Sequence, residues 1–316
     1  MKGKRMKYAF IYPGQGSQTK GMGRDFVENF SIAKMLLEEA SDSLKQDMAK
    51  ILYEDEEKLN ETQYTQPAIF LVSAMAHKIV EKEYGIKAEI AFGHSLGEVS
   101  AYCLNGGANF GDSIYLTHKR GQFMAESCKG KAVGMQSVGM MVCLGLATNV
   151  LEDICIKAQK EGKQVWAANY NMEGQIVLAG IKEDLESVSD TLKEAGAKRT
   201  LLLKMSVASH CPLLQDSIPP FKELLEKSIC DSKIEIISNA NLSLYKTKEE
   251  ALQNLTQQLI KPVLYHQCVS KAKELGITKF IEFGNGSVLA GLNNKISDIP
   301  TISINSVQSI QGLGSL

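Results

Sequence analysis

Short runs of apolar residues alternate with longer segments of helical periodicity along most of the chain, which is typical of an α/β protein. The first apolar run, Tyr8 to Tyr12, predicts a strand, and a glycine-rich turn and a helix over residues 26–41 follow it. A second helix is expected to open at Thr65-Gln66-Pro67, with Pro67 in its first turn. Its apolar residues continue nearly all the way round, so we expect this helix to be buried.

The order of elements changes at about residue 140. Up to residue 205 the pattern predicts strand, helix, two strands, helix and strand, which is the order of a ferredoxin-like domain. The α/β pattern then resumes, with strands at 234–238 and 279–283 around a helix at 251–259, and the strand at 279–283 is expected to be the last. We therefore predict an α/β fold in which a large α/β-hydrolase-like domain, residues 6–132 and 205–310, carries an inserted ferredoxin-like small domain at 133–204.

A strand over residues 88–92 runs directly into Gly-His-Ser-Leu-Gly at 93–97, and a helix follows. This is the nucleophile elbow of α/β hydrolases in its required context of strand before and helix after. The two glycines allow a sharp turn that exposes the Ser95 hydroxyl at the end of the strand. The pattern predicts that Ser95 is a nucleophile and that the next backbone N–H, from Leu96, faces the developing oxyanion.

Composition narrows the class of protein. The 316 residues suit about two domains, and 35 basic against 36 acidic residues give a net charge of −1, which argues against a nucleic-acid partner. The seven cysteines form no Cys-x-x-Cys pair, so we expect neither a metal site nor disulfides. No apolar stretch approaches the ~18 residues of a membrane span, and none forms a signal-peptide core. We expect a cytoplasmic protein without a membrane partner.

A serine nucleophile needs a base, and the chain has five histidines. Four of them are expected in packed or surface positions: His77, His94, His118 and His266. His210 differs because it lies in a loop just past a predicted strand, where Pro212 makes the backbone irregular. The candidate acids between residues 95 and 210 all look like helix caps or solvated positions: Asp112, Asp153, Asp184 and Asp190. We therefore expect a Ser95–His210 dyad whose histidine is oriented by a backbone carbonyl.

Two further segments contribute candidate chemistry. The glycine-rich turn at 13–23 lacks the spacing of a phosphate-binding loop. It can instead bring a backbone N–H, such as that of Gln15, to the elbow as a second oxyanion donor. Arg120 follows on a helix after the elbow and has two interpretations. It is either an exposed helix charge or, if it points into the cleft, a fork that holds a substrate carboxylate.

Taken together, the motifs resemble those of the malonyl-CoA:acyl carrier protein transacylases of type II fatty acid synthesis, from about residue 8 to about residue 305. The matching segments, in order, are Pro13-Gly-Gln-Gly-Ser-Gln18, Thr65-Gln66-Pro67, Gly93-His-Ser-Leu-Gly-Glu98, Arg120-Gly121 with Met124, Asn169-Tyr-Asn171 with Gly174-Gln175 and Ala179-Gly180, and Ser206-Val-Ala-Ser-His210. Six motifs in order at the right separations are far more specific than any one of them.

The resemblance implies a ping-pong transfer of a malonyl group. Ser95, activated by His210, would attack the thioester of malonyl-CoA while the N–H groups of Gln15 and Leu96 hold the oxyanion. The phosphopantetheine thiol of acyl carrier protein would then accept the malonyl group. Arg120 would bind the malonyl carboxylate throughout.

The resemblance also implies substrate-binding roles for Asn169 and Asn171, and it maps the histidine-orienting carbonyl to Leu264. Malonyl-CoA is implied as substrate and acyl carrier protein as partner. We expect no bound cofactor and a monomer.

The chain departs from the family pattern at two places, and the second leaves the choice of acyl group open. Lys261-Pro262-Val263 stands where the family commonly has Asn-Pro-Val, and Val207-Ala208-Ser209 precedes His210 where relatives often have a proline. Ala-Ser-His resembles the type that selects methylmalonyl units, although the other motifs favour malonyl. Two competing functions are also compatible with these motifs: a serine esterase or thioesterase built on the same elbow, and a catalytically silent scaffold that binds carrier protein.

Overall fold

The computed structural model describes residues 6–129, 137–205 and 207–314. The strands are β1 Tyr8–Tyr12, β2 Ile90–Gly93, β3 Val138–Leu144, β4 Val165–Met172, β5 Gln175–Ile181, β6 Arg199–Leu202, β7 Glu235–Ile237, β8 Leu244–Tyr245, β9 Lys279–Phe283 and β10 Thr301–Ile304. The helices of the first half are α1 Arg24–Asn29, α2 Ser31–Leu44, α3 Met48–Tyr53, α4 Glu56–Leu59, α5 Thr62–Tyr84, α6 Leu96–Tyr102 and α7 Phe110–Lys129. Those of the second half are α8 Thr148–Lys160, α9 Lys182–Glu194, α10 Ile218–Ser228, α11 Lys248–Gln257, α12 Tyr265–Glu274, α13 Val288–Ile296 and α14 Val307–Leu313, with a 3₁₀ turn at Pro212–Ser217.

The larger sheet has six strands in the order β10-β9-β1-β2-β7-β8. Its first five strands run parallel and β8 pairs antiparallel with β7, so the sheet is mixed. Alternate residues of β1 enter different apolar clusters: Phe10 and Tyr12 pack on the side of α5, whereas Ala9 and Ile11 pack on the side of α12. This sandwich of helices around a parallel core explains why the central strands are apolar on both faces.

The smaller sheet has the antiparallel order β4-β5-β3-β6. One of its faces packs against α8 and α9, and the opposite face contributes Met140 and Val177 to the same apolar cluster as the larger sheet. Backbone hydrogen bonds join β4 to residue 263, because the Tyr170 N–H donates to the Val263 carbonyl at 2.9 Å and the Val263 N–H donates to the Ala168 carbonyl at 2.8 Å. The smaller sheet is therefore fixed in place beside the carboxyl ends of β1 and β2.

The predicted α/β class is confirmed, but several expected elements differ from those of the structure. The single helix expected over 26–41 is divided, because Phe30 is extended and separates α1 from α2. The strand expected to be last is followed by β10. Helix α5 is buried as expected but begins at Thr62, so that Pro67 lies inside it instead of in its first turn.

The position of Pro67 has a local explanation. A proline within a helix has no N–H to donate to the carbonyl four residues earlier, which here belongs to Gln63. The Gln63 carbonyl accepts instead from Nδ1 of His118 on α7, at 2.7 Å. A side chain from a neighbouring helix thus takes the place of the missing backbone donor.

The predicted boundary at residues 132 and 133 lies outside the described residues, as does Ser206 of the histidine loop. The division into two domains stays a prediction. None of the helices formed by the described residues combines the length and apolar character needed to cross a membrane.

Candidate active site

Ser95 lies between β2 and α6 in a strained backbone conformation, with φ 54° and ψ −107°. The turn is tight enough that a Cβ at Gly97 would collide with the backbone carbonyl of Tyr12, so this position requires glycine. Two buried carboxamides hold the strained peptide units. The Ser95 N–H donates to Asn239 Oδ1 at 2.9 Å, and Gln258 Nε2 donates to the Ser95 carbonyl at 2.8 Å. The surrounding structure therefore supports the strain, as expected for a nucleophile elbow.

The Ser95 hydroxyl contacts His210, with Oγ 2.7 Å from Nε2. The other ring nitrogen, Nδ1, lies 2.7 Å from the Gln258 carbonyl, which can only accept a hydrogen bond. Nδ1 therefore carries the proton, and the lone pair of Nε2 faces the serine hydroxyl. Burial, reinforced by the positive charge of Arg120, lowers the pKa of His210 to about 3. The imidazole is thus a neutral base in the free protein.

The predicted orienting carbonyl, that of Leu264, is wrong. The Leu264 carbonyl accepts from the Cys268 N–H at 2.9 Å, in the first turn of α12, and no hydrogen bond among the described residues joins it to the imidazole. The carbonyl of Gln258 takes this place because Gln258 caps the carboxyl end of α11, where carbonyls lack partners within the helix. The backbone N–H of His210 also donates to the neighbouring Leu259 carbonyl at 3.1 Å. Two hydrogen bonds, one from the ring and one from the backbone of His210, therefore hold its loop on the end of α11.

The two predicted oxyanion donors line the same cavity as Ser95. Leu96 is the first residue of α6, where a backbone N–H has no partner within the helix. Gln15 lies in the turn after β1, and this turn packs so closely on the elbow that a Cβ at Gly14 would collide with the His94 carbonyl. Among the hydrogen bonds of the described residues, neither the Gln15 N–H nor the Leu96 N–H has a protein acceptor. Both are available to a substrate oxygen.

Arg120 is buried, with 1% of its surface exposed, and its side chain enters the cavity. Its Nη1 donates to Gln66 Oε1 at 2.7 Å, and its Nη2 donates to Gln258 Oε1 at 2.8 Å and to Ser95 Oγ at 3.4 Å. The buried Nε has no partner. Burial lowers the pKa of Arg120 to about 10, so the guanidinium stays charged at neutral pH. Of the two interpretations, the structure shows the buried one: a cation with an unused donor beside the Ser95 hydroxyl.

The cavity has a volume of about 670 Å³ and lies between the two sheets. Met140, Val142 and Val177 of the smaller sheet give it an apolar wall, and the polar side chains of Asn169 and Asn171 on β4 also line it. Asn169 Oδ1 is buried without a partner, whereas Asn171 Oδ1 accepts from His94 Nε2 at 2.7 Å. A mostly apolar cavity with a few convergent polar groups is typical of a small-molecule site.

Two residues of the site, Gln66 and Gln258, could not be assigned a role from the sequence. Gln66 stands in the Thr-Gln-Pro motif, and its motif position was the only signal for it. Gln66 accepts from Arg120 and donates through Nε2 to the Thr62 hydroxyl at 3.0 Å. Thr62 in turn donates to Gln15 Oε1 at 2.9 Å, so these hydrogen bonds link Arg120 to the turn after β1. Gln258 had no signal, because one glutamine near the end of an amphipathic helix resembles any other. Within the described ranges, no group of three His, Cys, Asp or Glu side chains is placed to hold a metal ion.

Comparisons with known proteins find similar sequences and structures along nearly the whole chain. The model of the acyl transferase domain family matches residues 9–299. The malonyl CoA-acyl carrier protein transacylase of Bacillus subtilis is 36% identical over 309 residues, which cover 96% of this chain and 95% of the relative. The crystal structure of malonyl-CoA:acyl carrier protein transacylase from Helicobacter pylori superposes with a TM-score of 0.92 at 46% identity, covering 98% of this chain and 97% of that one. A malonyl-transacylase in complex with a type II polyketide acyl-carrier protein superposes with a TM-score of 0.91 at 32% identity, covering 96% and 98%.

The lowered pKa of His210 gives a testable titration. In the unfolded chain its imidazole should take up a proton near pH ~6.5, whereas in the folded protein it should remain neutral until about pH 3. The unfolded state therefore binds the additional proton between these values, and this histidine lowers the stability of the fold as the pH falls through this range. We expect the ¹⁵N shifts of the His210 ring, assigned by their loss in His210→Gln, to stay those of a neutral imidazole from pH 8 to pH 5. A titration near pH 6.5 in the folded protein would contradict the buried neutral base.

Proposed function

The chain belongs to the malonyl-CoA:acyl carrier protein transacylases of the acyl transferase family, and we propose that Ser95, His210 and Arg120 carry out its reaction. The protein transfers a malonyl group from malonyl-CoA to the thiol of acyl carrier protein for fatty acid synthesis. The observation that carries the proposed roles is the position of Ser95 Oγ, 2.7 Å from a neutral imidazole and 3.4 Å from a buried guanidinium. The nucleophile, its base and a cation for an acidic acyl group thus meet at one atom.

The first half-reaction forms an ester on Ser95. As Oγ attacks the thioester carbon of malonyl-CoA, its proton passes to Nε2 of His210, and the Gln258 carbonyl stabilises the resulting imidazolium through Nδ1. The N–H groups of Gln15 and Leu96 receive the negative charge of the tetrahedral intermediate. Its collapse breaks the carbon–sulfur bond, and the CoA thiolate takes the proton back from Nε2. The malonyl group remains on Ser95, and His210 is again neutral.

The second half-reaction runs the same steps in reverse. The phosphopantetheine thiol of acyl carrier protein gives its proton to Nε2 of His210, and its sulfur attacks the ester carbonyl. The Ser95 oxygen leaves with that proton, which regenerates the free enzyme. Because one acyl-enzyme serves both thiols in turn, the kinetics are ping-pong. The apolar wall formed by Met140, Val142 and Val177 limits the access of water to the ester.

Arg120 selects the acyl group. A malonyl carboxylate that enters the cavity can accept hydrogen bonds from the guanidinium, whose Nε has no partner and whose other donors face neutral groups. An acetyl group leaves this buried cation without an anion, which costs roughly 1–3 kcal/mol or more. An esterase or thioesterase for neutral acyl groups has no use for such a cation. The same observation therefore favours malonyl transfer over hydrolysis of a neutral acyl group.

We also propose the predicted two-domain arrangement, with residues 133–204 as a ferredoxin-like domain inserted in an α/β-hydrolase-like one. The antiparallel order β4-β5-β3-β6, with α8 and α9 on one face, supports the assignment. The elbow at the end of β2 supports the α/β-hydrolase-like assignment of the larger domain. The cytoplasmic location and the monomeric state remain predictions.

We expect a malonyl ester on Ser95 when the protein is mixed with equal amounts of malonyl-, methylmalonyl- and acetyl-CoA. Intact-protein and peptide mass spectrometry should find one malonyl group on the elbow peptide, and it should leave on addition of holo acyl carrier protein. Ser95→Ala should remove the label. Ser113→Ala, which deletes a buried hydroxyl on α7, should keep it because Ser113 bonds the Asn109 carbonyl and not the site.

Each competing function predicts a different result. A thioesterase releases free malonate in the absence of carrier protein. A silent scaffold forms no ester on Ser95, and Ser95→Ala leaves its binding of carrier protein unchanged. Methylmalonyl as the main adduct would change the assigned substrate.

Arg120→Ala should lower kcat/KM for malonyl-CoA by about 10²-fold and that for acetyl-CoA by less than about tenfold, because only the malonyl group has a carboxylate to lose its partner. Arg120→Lys keeps the charge but not the planar fork, so its kcat/KM for malonyl-CoA should lie between that of the wild type and that of Arg120→Ala. Lys119→Ala is the matched control, since its ammonium bonds Gln122 on the same helix and does not line the cavity. Equal losses for both substrates in Arg120→Ala would show that Arg120 only supports the fold.

A further inference from the structure

Glu98 is a fully buried carboxylate in the first turn of α6, and it does not line the active-site cavity. Three donors surround it. Its Oε1 accepts from the Tyr245 hydroxyl at 2.9 Å, and its Oε2 accepts from the backbone N–H of Asn239 at 3.0 Å and from Gln258 Nε2 at 2.7 Å. A buried carboxylate is costly unless its oxygens are satisfied, and these three hydrogen bonds meet that requirement.

The first consequence of this carboxylate concerns the direction of the Gln258 carboxamide. An ionised carboxylate can only accept hydrogen bonds, so the amide must turn its Nε2 toward Glu98, where it also donates to the Ser95 carbonyl at 2.8 Å. Its Oε1 is then directed to the opposite side, where it accepts from Nη2 of Arg120 at 2.8 Å. The arginine needs this acceptor because a guanidinium can only donate. Glu98 thus determines that the Gln258 amide presents its oxygen, and not its NH₂ group, to Arg120.

The second consequence concerns the nucleophile. Glu98 holds the backbone N–H of Asn239, and the side chain of Asn239 holds the elbow from behind. Its Oδ1 accepts from the Ser95 N–H at 2.9 Å, and its Nδ2 donates to the Gly93 carbonyl at 2.9 Å. Asn239 and Gln258 therefore fix the two sides of the strained Ser95 backbone, and Glu98 holds both of them.

We propose that Glu98 is a positioning residue that acts through these two amides: it holds the Ser95 backbone in its strained form and aims Gln258 Oε1 at Arg120. The proposal rests on the proposed function, because the arginine that it orients is the one assigned to the malonyl carboxylate. The amide of Gln258 separates the two charges. Glu98 can balance the buried cation without occupying the donors that a substrate carboxylate needs.

The hydrogen-bond donors around Glu98 favour its ionised form against the effect of burial. Burial raises the pKa of Glu98 to about 7, whereas the hydrogen bonds from Asn239, Gln258 and Tyr245 and the charge of Arg120 act in the opposite direction. The carboxylate and the guanidinium therefore stabilise each other's charged forms across the Gln258 side chain, since Glu98 also raises the pKa of Arg120.

Glu98→Gln tests the proposal, because it keeps the size of the side chain and brings a donor among three donors. The Gln258 amide then loses its fixed direction. We expect the ratio of kcat/KM for malonyl-CoA to that for acetyl-CoA to fall by about tenfold or more, mainly through a higher KM for malonyl-CoA. Arg120→Ala added to Glu98→Gln should lower the ratio by much less than it does alone. Glu98→Asp, which keeps the charge, should restore part of the ratio.

Tyr102→Phe is the matched control. It removes a partly buried hydrogen bond from the same helix, where the Tyr102 hydroxyl donates to the Cys230 carbonyl at 2.6 Å, and it should lower stability without changing the ratio. If Glu98→Gln does not fold, Gln258→Met serves instead, since it deletes the amide and keeps the carbonyl that orients His210. We expect the same fall in the ratio.

An unchanged ratio in a folded Glu98→Gln or Gln258→Met protein overturns the positioning role. Failure of the proposed function is a separate result: the wild-type protein itself would then form no malonyl ester on Ser95.

Discussion

The site depends on one buried cation beside the nucleophile. Arg120 is buried at the wall of the cavity, with 1% of its surface exposed, and such a charge would be strongly destabilising without partners. The structure supplies two neutral amide oxygens, from Gln66 and Gln258. It also places the Glu98 carboxylate behind Gln258, whose Nε2 donates to it. This arrangement keeps the guanidinium charged and leaves its Nε without a partner. In the proposed mechanism, the position of this cation, and not the serine and histidine alone, accounts for the selection of an acidic acyl group.

Segments far apart in the chain form this arrangement because the fold brings their ends to one edge. The parallel strands β1 and β2 pair in register, with Tyr12 opposite Gly93, so the Gln15 turn and the Ser95 elbow emerge side by side. The smaller sheet covers that edge, and its strand β4 is hydrogen-bonded to the backbone of residue 263, which lies between α11 and α12. The loop that follows β6 then carries His210 to the end of α11, where a free carbonyl orients it.

The parts of the site that depend on local sequence could be predicted. Gly-His-Ser-Leu-Gly specifies a strand, a strained turn and a helix within a few residues, and the structure contains all three. The orienting carbonyl could not be predicted, because any carbonyl in the segment that docks on His210 is chemically equivalent, and tertiary packing selects Gln258 over Leu264. The start of α5 was wrong for a similar reason: the partner that allows Pro67 inside the helix is His118, on another helix. Glu98 stood in a quoted motif, but its partners lie about 140 to 160 residues away along the chain.

A crystal structure of the protein after reaction with malonyl-CoA, with acyl carrier protein left out, tests the central claim most directly. The claim is that one cavity holds the ester, its oxyanion donors and the carboxylate-binding cation. We expect continuous density from Ser95 Oγ to a malonyl group, with its carbonyl oxygen facing the Gln15 and Leu96 N–H groups and its carboxylate on the guanidinium of Arg120. An acyl group on another residue, or a carboxylate that points away from Arg120, would contradict the account.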